Sequence, residues 1–183
     1  MASEKISNLF VFDIDSTLVD HWRRIRRNTV PRWPGGKIHK NAWTWPELEM
    51  DNLTENPIEC LDVLWGLSPI NEIRYLTARG YDLDGALTIC QLKNLKLPNP
   101  ESVTVVPNMA AKIAVLIAMK PYVYVDDFMT GQENAIGTFR REIAKEIEAL
   151  GIHVIVFRNN WADVTDQIKY YLTNDGLESE APY

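Results

Sequence analysis

Leu9-Phe-Val-Phe-Asp-Ile-Asp-Ser-Thr-Leu18 joins an apolar run to two carboxylates two positions apart. Its first part, Asn8 to Phe12, is uncharged and rich in Val and Phe. That reads as a central strand buried on both faces. Asp13 and Asp15 stand where the strand ends. An aspartate at such a place is, by itself, an ordinary turn or helix cap. Its meaning depends on what the rest of the chain sets beside it.

Outward from this stretch the same pattern recurs. Glu72 to Leu76 predicts a second strand ending at Thr77, and Val103 to Val106 a third. Tyr122 to Val125 predicts a fourth, ending at Asp126-Asp127, and His153 to Phe157 a fifth. Helices are expected between them. One opens at Pro57 and runs to about Gly66. Asp82 caps another reaching about Leu95, and Asn108 a third reaching Met119. Gln132 to Leu150 predicts a fourth, stopped by Gly151, and Trp161 to Leu172 the last. Alternating strands and helices predict an α/β fold: a mainly parallel, Rossmann-like sheet covered on both faces. Such sheets bind ligands beyond the carboxyl ends of their strands. Asp13, Asp15, Thr77, Arg79, Asp126 and Asp127 all follow strands. Four carboxylates at one edge repel one another unless a hard cation such as Mg²⁺ joins them.

As a set, these residues resemble the haloacid dehalogenase superfamily of phosphotransferases. Leu9 to Leu18 is similar to its first motif, Tyr75-Leu-Thr-Ala-Arg79 to its second, Lys112 to its third and Val123-Tyr-Val-Asp-Asp127 to its fourth. The resemblance implies a Mg²⁺-dependent phosphatase acting through an aspartyl-phosphate. Asp13 is the implied nucleophile and Asp15 the acid and base, with Thr77 and Lys112 holding the phosphoryl oxygens. Mg²⁺ is expected on Asp13, the Asp15 carbonyl, Asp127 and, behind it, Asp126. Ser16, Thr17, Ala78 and Arg79 are expected to line the substrate. For Arg79, an ion pair with a nearby carboxylate is the competing reading. Ser16 departs from the pattern, which more often has glycine there. Since a small residue is kept, little damage is expected.

The stretch between the first and second motifs has its own character. Residues 21–40 hold seven of the 19 Lys and Arg residues and no acid, and residues 41–62 then turn acidic. Four of the six tryptophans, Trp22, Trp33, Trp43 and Trp45, fall in or beside the basic part. We divide the chain into a core (1–17 and 71–173), a small cap-like insert with a leading helix (18–70), and a flexible acidic tail (174–183). A small insert suggests an open site. With the Thr-Ala-Arg and Asp-Asp motifs, it is similar to the phosphatase domain of phage-type polynucleotide kinase-phosphatases. The substrate this implies is a nucleotide or a nucleic-acid end, most simply a 3′-phosphate. Arg23 and Arg24 would attract its charge and the tryptophans would stack on bases. The alternative is that the tryptophans pack and the arginines pair with the acids behind them. Two further readings stay open: a nucleic-acid-binding or scaffolding protein on this fold, and a phosphatase of small sugar-type phosphates. His21 and His39 read as packing or surface residues, since no metal-ligand spacing accompanies them.

Composition narrows the classes. Apolar residues make up 46% and charged residues 24%, as in folded domains rather than disordered chains. No run nears the roughly 20 apolar residues of a membrane span, and no signal peptide is visible. Two cysteines make no disulfide framework, so a reducing, cytoplasmic setting is expected.

Overall fold

The structure, a computed structural model, describes residues 7–31, 36–130 and 138–178. Five strands form the central sheet: β1 (Leu9–Phe12), β2 (Glu72–Thr77), β3 (Val103–Val105), β4 (Val123–Asp126) and β5 (His153–Val156). They lie in the order β5-β4-β1-β2-β3, and every pairing is parallel. The first strand is therefore the middle one. Cores packed on both faces of the sheet explain why it has no polar face.

Along β1 the side chains alternate between two cores, as the pleat requires. Phe10 and Phe12 face a cluster holding Cys60 and Leu64 of helix α2 (Pro57–Leu67) and Trp161, Val164 and Ile168 of the last helix. Val11 faces the other side, against Leu116, Ile143 and Ile147. All three strand residues are fully buried. Truncating either phenylalanine to alanine would cost about 3–5 kcal/mol.

Further helices are α3 (Ala86–Asn94), α4 (Met109–Met119) and α5 (Arg141–Glu148). Asp82 accepts from the Leu87 and Thr88 N–H groups at 3.1 and 2.7 Å, so it caps the start of α3 from outside the helix. Asn108 accepts from the Ala111 N–H at 3.0 Å and caps α4. Where helix was expected from Gln132, the structure has a short antiparallel pair instead, Met129–Thr130 with Thr138–Phe139. The expected start at Gln132 lies outside the described residues. Helix begins only at Arg141, because the repeat that buries one face starts with Ile143, Ala144 and Ile147. The last helix, α6, spans Trp161–Glu178, past the expected end at Leu172. It takes in the first part of the stretch read as a tail; 179–183 lie outside the described residues.

Between Thr17 and α2 the chain forms the insert. A six-residue helix, α1 (Trp22–Arg27), leads into a small hairpin pairing Thr29–Val30 with Lys37–Ile38. A 3₁₀ turn (Lys40–Trp43) and a helical turn (Trp45–Leu48) follow. Val19–Asp20 pairs with Asn52–Leu53 and closes the insert at its base. The α2 helix packs on the core sheet, so the 18–70 stretch contains both insert and core. Trp33 and Arg32 lie outside the described residues. No helix among the described residues is long and apolar enough to cross a membrane.

Candidate active site

Parallel strands end at one edge, and that edge gathers the polar residues. Asp13 follows β1, Thr77 closes β2 and Asp126 closes β4. The Asp13 N–H donates to the Val125 carbonyl at 2.9 Å, which carries the ladder one residue past β1 and fixes where its carboxylate starts. Oδ1 of Asp13 accepts from Lys112 Nζ at 2.6 Å, and Oδ2 accepts from the Thr17 hydroxyl at 3.2 Å. The Thr17 hydroxyl oxygen in turn accepts from the Asp127 N–H at 3.0 Å. Thr17 thus ties the loop after β1 to the loop after β4.

Lys112 sits in the first turns of α4, on the same inward face as Leu116. Its ammonium reaches Asp126 Oδ2 at 2.7 Å as well as Asp13. Asp126 also accepts from the Tyr124 hydroxyl, and from the Phe128 N–H at 2.6 Å. Both Asp126 oxygens are therefore engaged by donors. Carboxylate oxygens of Asp13, Asp126 and Asp127 lie within 4.8 Å of one another. Three carboxylates against one ammonium leave two formal negative charges in excess. Burial and the neighbouring Asp126 push the Asp13 carboxyl up to about 7, against the pull of Lys112. Burial, Asp13 and Asp126 push Asp127 up to about 8. A divalent cation fits this donor set: it prefers oxygen, and its charge matches the excess. Asp13 and Asp127 would hold it, with Asp126 fixing Lys112 beside them.

Asp15 belongs to a different group. Its side chain is not in the carboxylate cluster; only its main-chain carbonyl was expected at the cation. The carboxylate meets Arg79 in a fork, Nε to Oδ2 at 2.7 Å and Nη2 to Oδ1 at 2.8 Å. Arg24 adds a contact of 3.2 Å, and His21 stands 3.8 Å away. Burial pushes the Asp15 carboxyl up, but the Arg79, His21 and Arg24 charges outweigh it and hold it well below the usual carboxylate range. Arg79 is thus in the ion pair that competed with its substrate role in the sequence. The cause is burial: both guanidinium groups are almost solvent-free and need a counter-charge.

The insert is held down by the same network. Arg24 Nε donates to Asp51 Oδ2 at 2.9 Å, and Gln91 of α3 donates to that oxygen at 2.9 Å. Arg27 pairs with Glu47 at 2.5 Å. These are the internal pairings weighed as the alternative to a polyanion-binding surface. Arg23 is exposed and lines neither cavity described below. The Arg24 guanidinium lies 4.5 Å from the Trp43 ring centroid, and Trp43 stacks on Tyr81 at 4.3 Å. Trp43 is therefore packed on a tyrosine rather than open for a base.

Together these groups line a cavity of about 190 Å³. Asp13, Asp15, Thr77, Ala78 and Lys112 line it together with Ile25, Ile38 and Trp43 of the insert. A second cavity, of about 620 Å³, adjoins the first and shares Asp127 and Met129 with it; Ser16 lines this one. Ser16 has φ 67°, in the left-handed region. Glycine is the usual residue for that backbone, so conformation and not size sets the preference there. His21, read as packing or surface, is buried and lines the smaller cavity. His39 is exposed and accepts from the Asn41 N–H at 3.2 Å. Asp51, Gln91 and Tyr124 were not singled out in the sequence. They act through Arg24, Lys112 and Asp126, and no local motif marks them.

No family model matches the chain, and no curated protein matches its sequence. Among solved structures it is similar to a haloacid dehalogenase-like family hydrolase from Streptococcus pneumoniae. The TM-score is 0.57 and the identity 14%, over 88% of this chain and 90% of that one. The chain has a haloacid dehalogenase-like fold. The likeness extends over most of both chains, while 14% identity leaves the site's chemistry to be argued from its own residues.

Proposed function

We propose that the protein is a Mg²⁺-dependent phosphomonoester hydrolase working through an aspartyl-phosphate, in a reducing, cytoplasmic setting. The observation that carries this is the buried Asp13 carboxylate, set between Lys112 at 2.6 Å and a carboxylate cluster with excess negative charge. When bound, the cation would draw Asp13 and Asp127 into their ionised forms and offset phosphoryl charge. Asp13 then attacks phosphorus. The P–O bond to the leaving group breaks, and water later hydrolyses the acyl phosphate. Lys112 holds Asp13 in place and offers charge to the phosphoryl oxygens, and the Thr77 hydroxyl supplies a further donor at the cavity wall.

Asp15 is the proton carrier. It rests ionised in the Arg79 fork, so to act as an acid it must first take a proton, which a singly protonated phosphate monoester brings with it. That proton passes to the leaving oxygen, and Asp15 then takes one from the water that hydrolyses the acyl phosphate. An arriving phosphate, itself a bidentate acceptor, competes for Arg79 and Arg24 and relaxes the clamp. Both readings of Arg79 then describe successive states of one side chain.

For the substrate we propose a nucleotide or nucleic-acid terminal phosphate, 3′ in the simplest case. The narrower likeness to phage-type polynucleotide kinase-phosphatases supports it through the sequence motifs alone. Internal pairing of Arg24 and Arg27 removes part of the support for a polyanion-binding scaffold, which is therefore second. The test is hydrolysis of a panel of 3′- and 5′-phosphorylated oligonucleotides, mononucleotides and sugar phosphates, with and without Mg²⁺. Asp13→Asn serves as the control. Cation-dependent turnover lost in Asp13→Asn supports the reading. It fails if no phosphomonoester is hydrolysed and Asp13→Asn binds Mg²⁺ as the unaltered protein does.

A further inference from the structure

The reaction proposed above gives the larger cavity no task. Its volume of about 620 Å³ lies within the roughly 300–1,000 Å³ of pockets that bury a small organic ligand. The catalytic cavity, at about 190 Å³, lies below that range. It has room for a phosphoryl group and little of what the group is attached to. Where the two meet, at Asp127 and Met129, is the way out for the rest of the substrate.

The walls of the larger cavity state what that rest is. Trp22, Phe139 and Phe157 supply rings. Trp22 is half-buried, with His21 stacked against its ring at 5.6 Å, and Phe139 is 38% exposed, so each has surface left to cover. Asp20 and Glu55 supply acceptors for hydroxyl and amino groups and repel further phosphates, with Arg158 as the one cation among the described lining residues. We propose that this cavity holds the nucleoside of a nucleoside monophosphate, its base on the Trp22 and Phe139 rings and its phosphate beside Asp13. Aromatic rings bind a base through its π-face whatever its identity. Two acids at the wall oppose a chain with a charge at every nucleotide, so the substrate is a mononucleotide and not a polynucleotide end. The assignment rests on the phosphomonoesterase reading and narrows it.

The experiment compares kcat/KM for adenosine monophosphate, ribose 5-phosphate, a 3′-phosphorylated hexanucleotide and acetyl phosphate. Trp22→Ala and the milder Trp22→Leu are measured beside the unaltered protein, with circular dichroism to check folding. Adenosine monophosphate should exceed both ribose 5-phosphate and the hexanucleotide. Trp22→Ala should lose about tenfold on adenosine monophosphate, the scale of one base–aromatic stack, and markedly less on acetyl phosphate. Glu55→Gln should raise the hexanucleotide rate. Equal use of ribose 5-phosphate, a faster hexanucleotide, or equal losses on both small substrates overturns the assignment. If none of the four is hydrolysed, the phosphatase reading fails instead. Calorimetry of adenosine monophosphate binding to Asp13→Asn, with and without Trp22→Ala, then decides the cavity by itself. Binding absent, or unchanged by Trp22→Ala, overturns it.

Discussion

Replacing Lys112 with methionine separates the electrostatic account of the site from a purely steric one. Methionine keeps most of the buried volume and removes the charge. Lys112 is 3% exposed and bridges Asp13 at 2.6 Å and Asp126 at 2.7 Å. Deleting one partner of a buried ion pair strands the other and typically costs about 3–5 kcal/mol. Two carboxylates are stranded here, with Asp127 close by, so the upper part of that range applies to the metal-free protein at pH 8. The cost depends on pH with a definite sign. Burial and Asp126 push the Asp13 carboxyl up to about 7, well above an ordinary carboxylate, so at pH 5 it is already protonated and less charge is stranded. Urea unfolding of both proteins in a chelator should therefore show a large difference at pH 8 and less than half of it at pH 5. Adding Mg²⁺ at pH 8 should return part of the loss, because the cation supplies the missing positive charge. Turnover should fall by about 10²–10³-fold, as when one charge-stabilising donor is lost. A cost below about 1 kcal/mol at pH 8, or the same cost at both pH values, would refute the reasoning.

Three further outcomes are expected. Metal-free protein should lose stability as pH rises from about 4 to about 8: Asp13 and Asp127 have raised pKa values, so the folded state binds more protons than the unfolded one, and Mg²⁺ should stabilise more at pH 8 than at pH 5. A flat chelated profile across that window contradicts the charge cluster. Ser16→Gly should gain about 1 kcal/mol in urea unfolding by relieving a left-handed serine at φ 67°; no gain means the backbone there is not strained. Asp82→Ala should lose about 1–2 kcal/mol, since two N–H groups at the start of α3 lose their acceptor, and a thermal midpoint unchanged from the unaltered protein counts against that cap.

The sheet was legible because its signals are local and redundant. Phe10, Val11 and Phe12 carry no polar face, and a strand buried on both sides needs none. Asn108 stands directly before α4 and accepts from Ala111, so the start of that helix could be read from one residue. Lys112 stood out as a charge on an otherwise apolar turn. The stretch from Gln132 to Leu150 was less legible, because good helix formers such as Glu142 and Lys145 lie beside Thr138 and Phe139, which pair as strand. Propensity yields there to tertiary pairing. The partners of the site were not legible at all: Asp51 reaches Arg24 across 27 positions, and Gln91 reaches Asp51 across 40. No periodicity encodes a contact of that separation.

The insert shows why charge counted along a chain is a poor guide to charge presented to a partner. Residues 21–40 hold seven basic side chains and no acid, which suggests a surface for polyanions. In three dimensions Arg24 is spent on Asp15 and Asp51, and Arg27 on Glu47. Burial dictates this. A guanidinium that is 1% exposed cannot wait for a substrate; it must have its counter-charge in the folded protein. The acidic stretch after residue 41 supplies two of these counter-charges, and Asp15 supplies the third. That last pairing joins architecture to chemistry. The insert is tied to the loop after β1 through Asp15, the carboxylate proposed above as the proton carrier. Whatever draws Arg24 and Arg79 toward a phosphate must therefore also loosen the clamp that holds the insert in place.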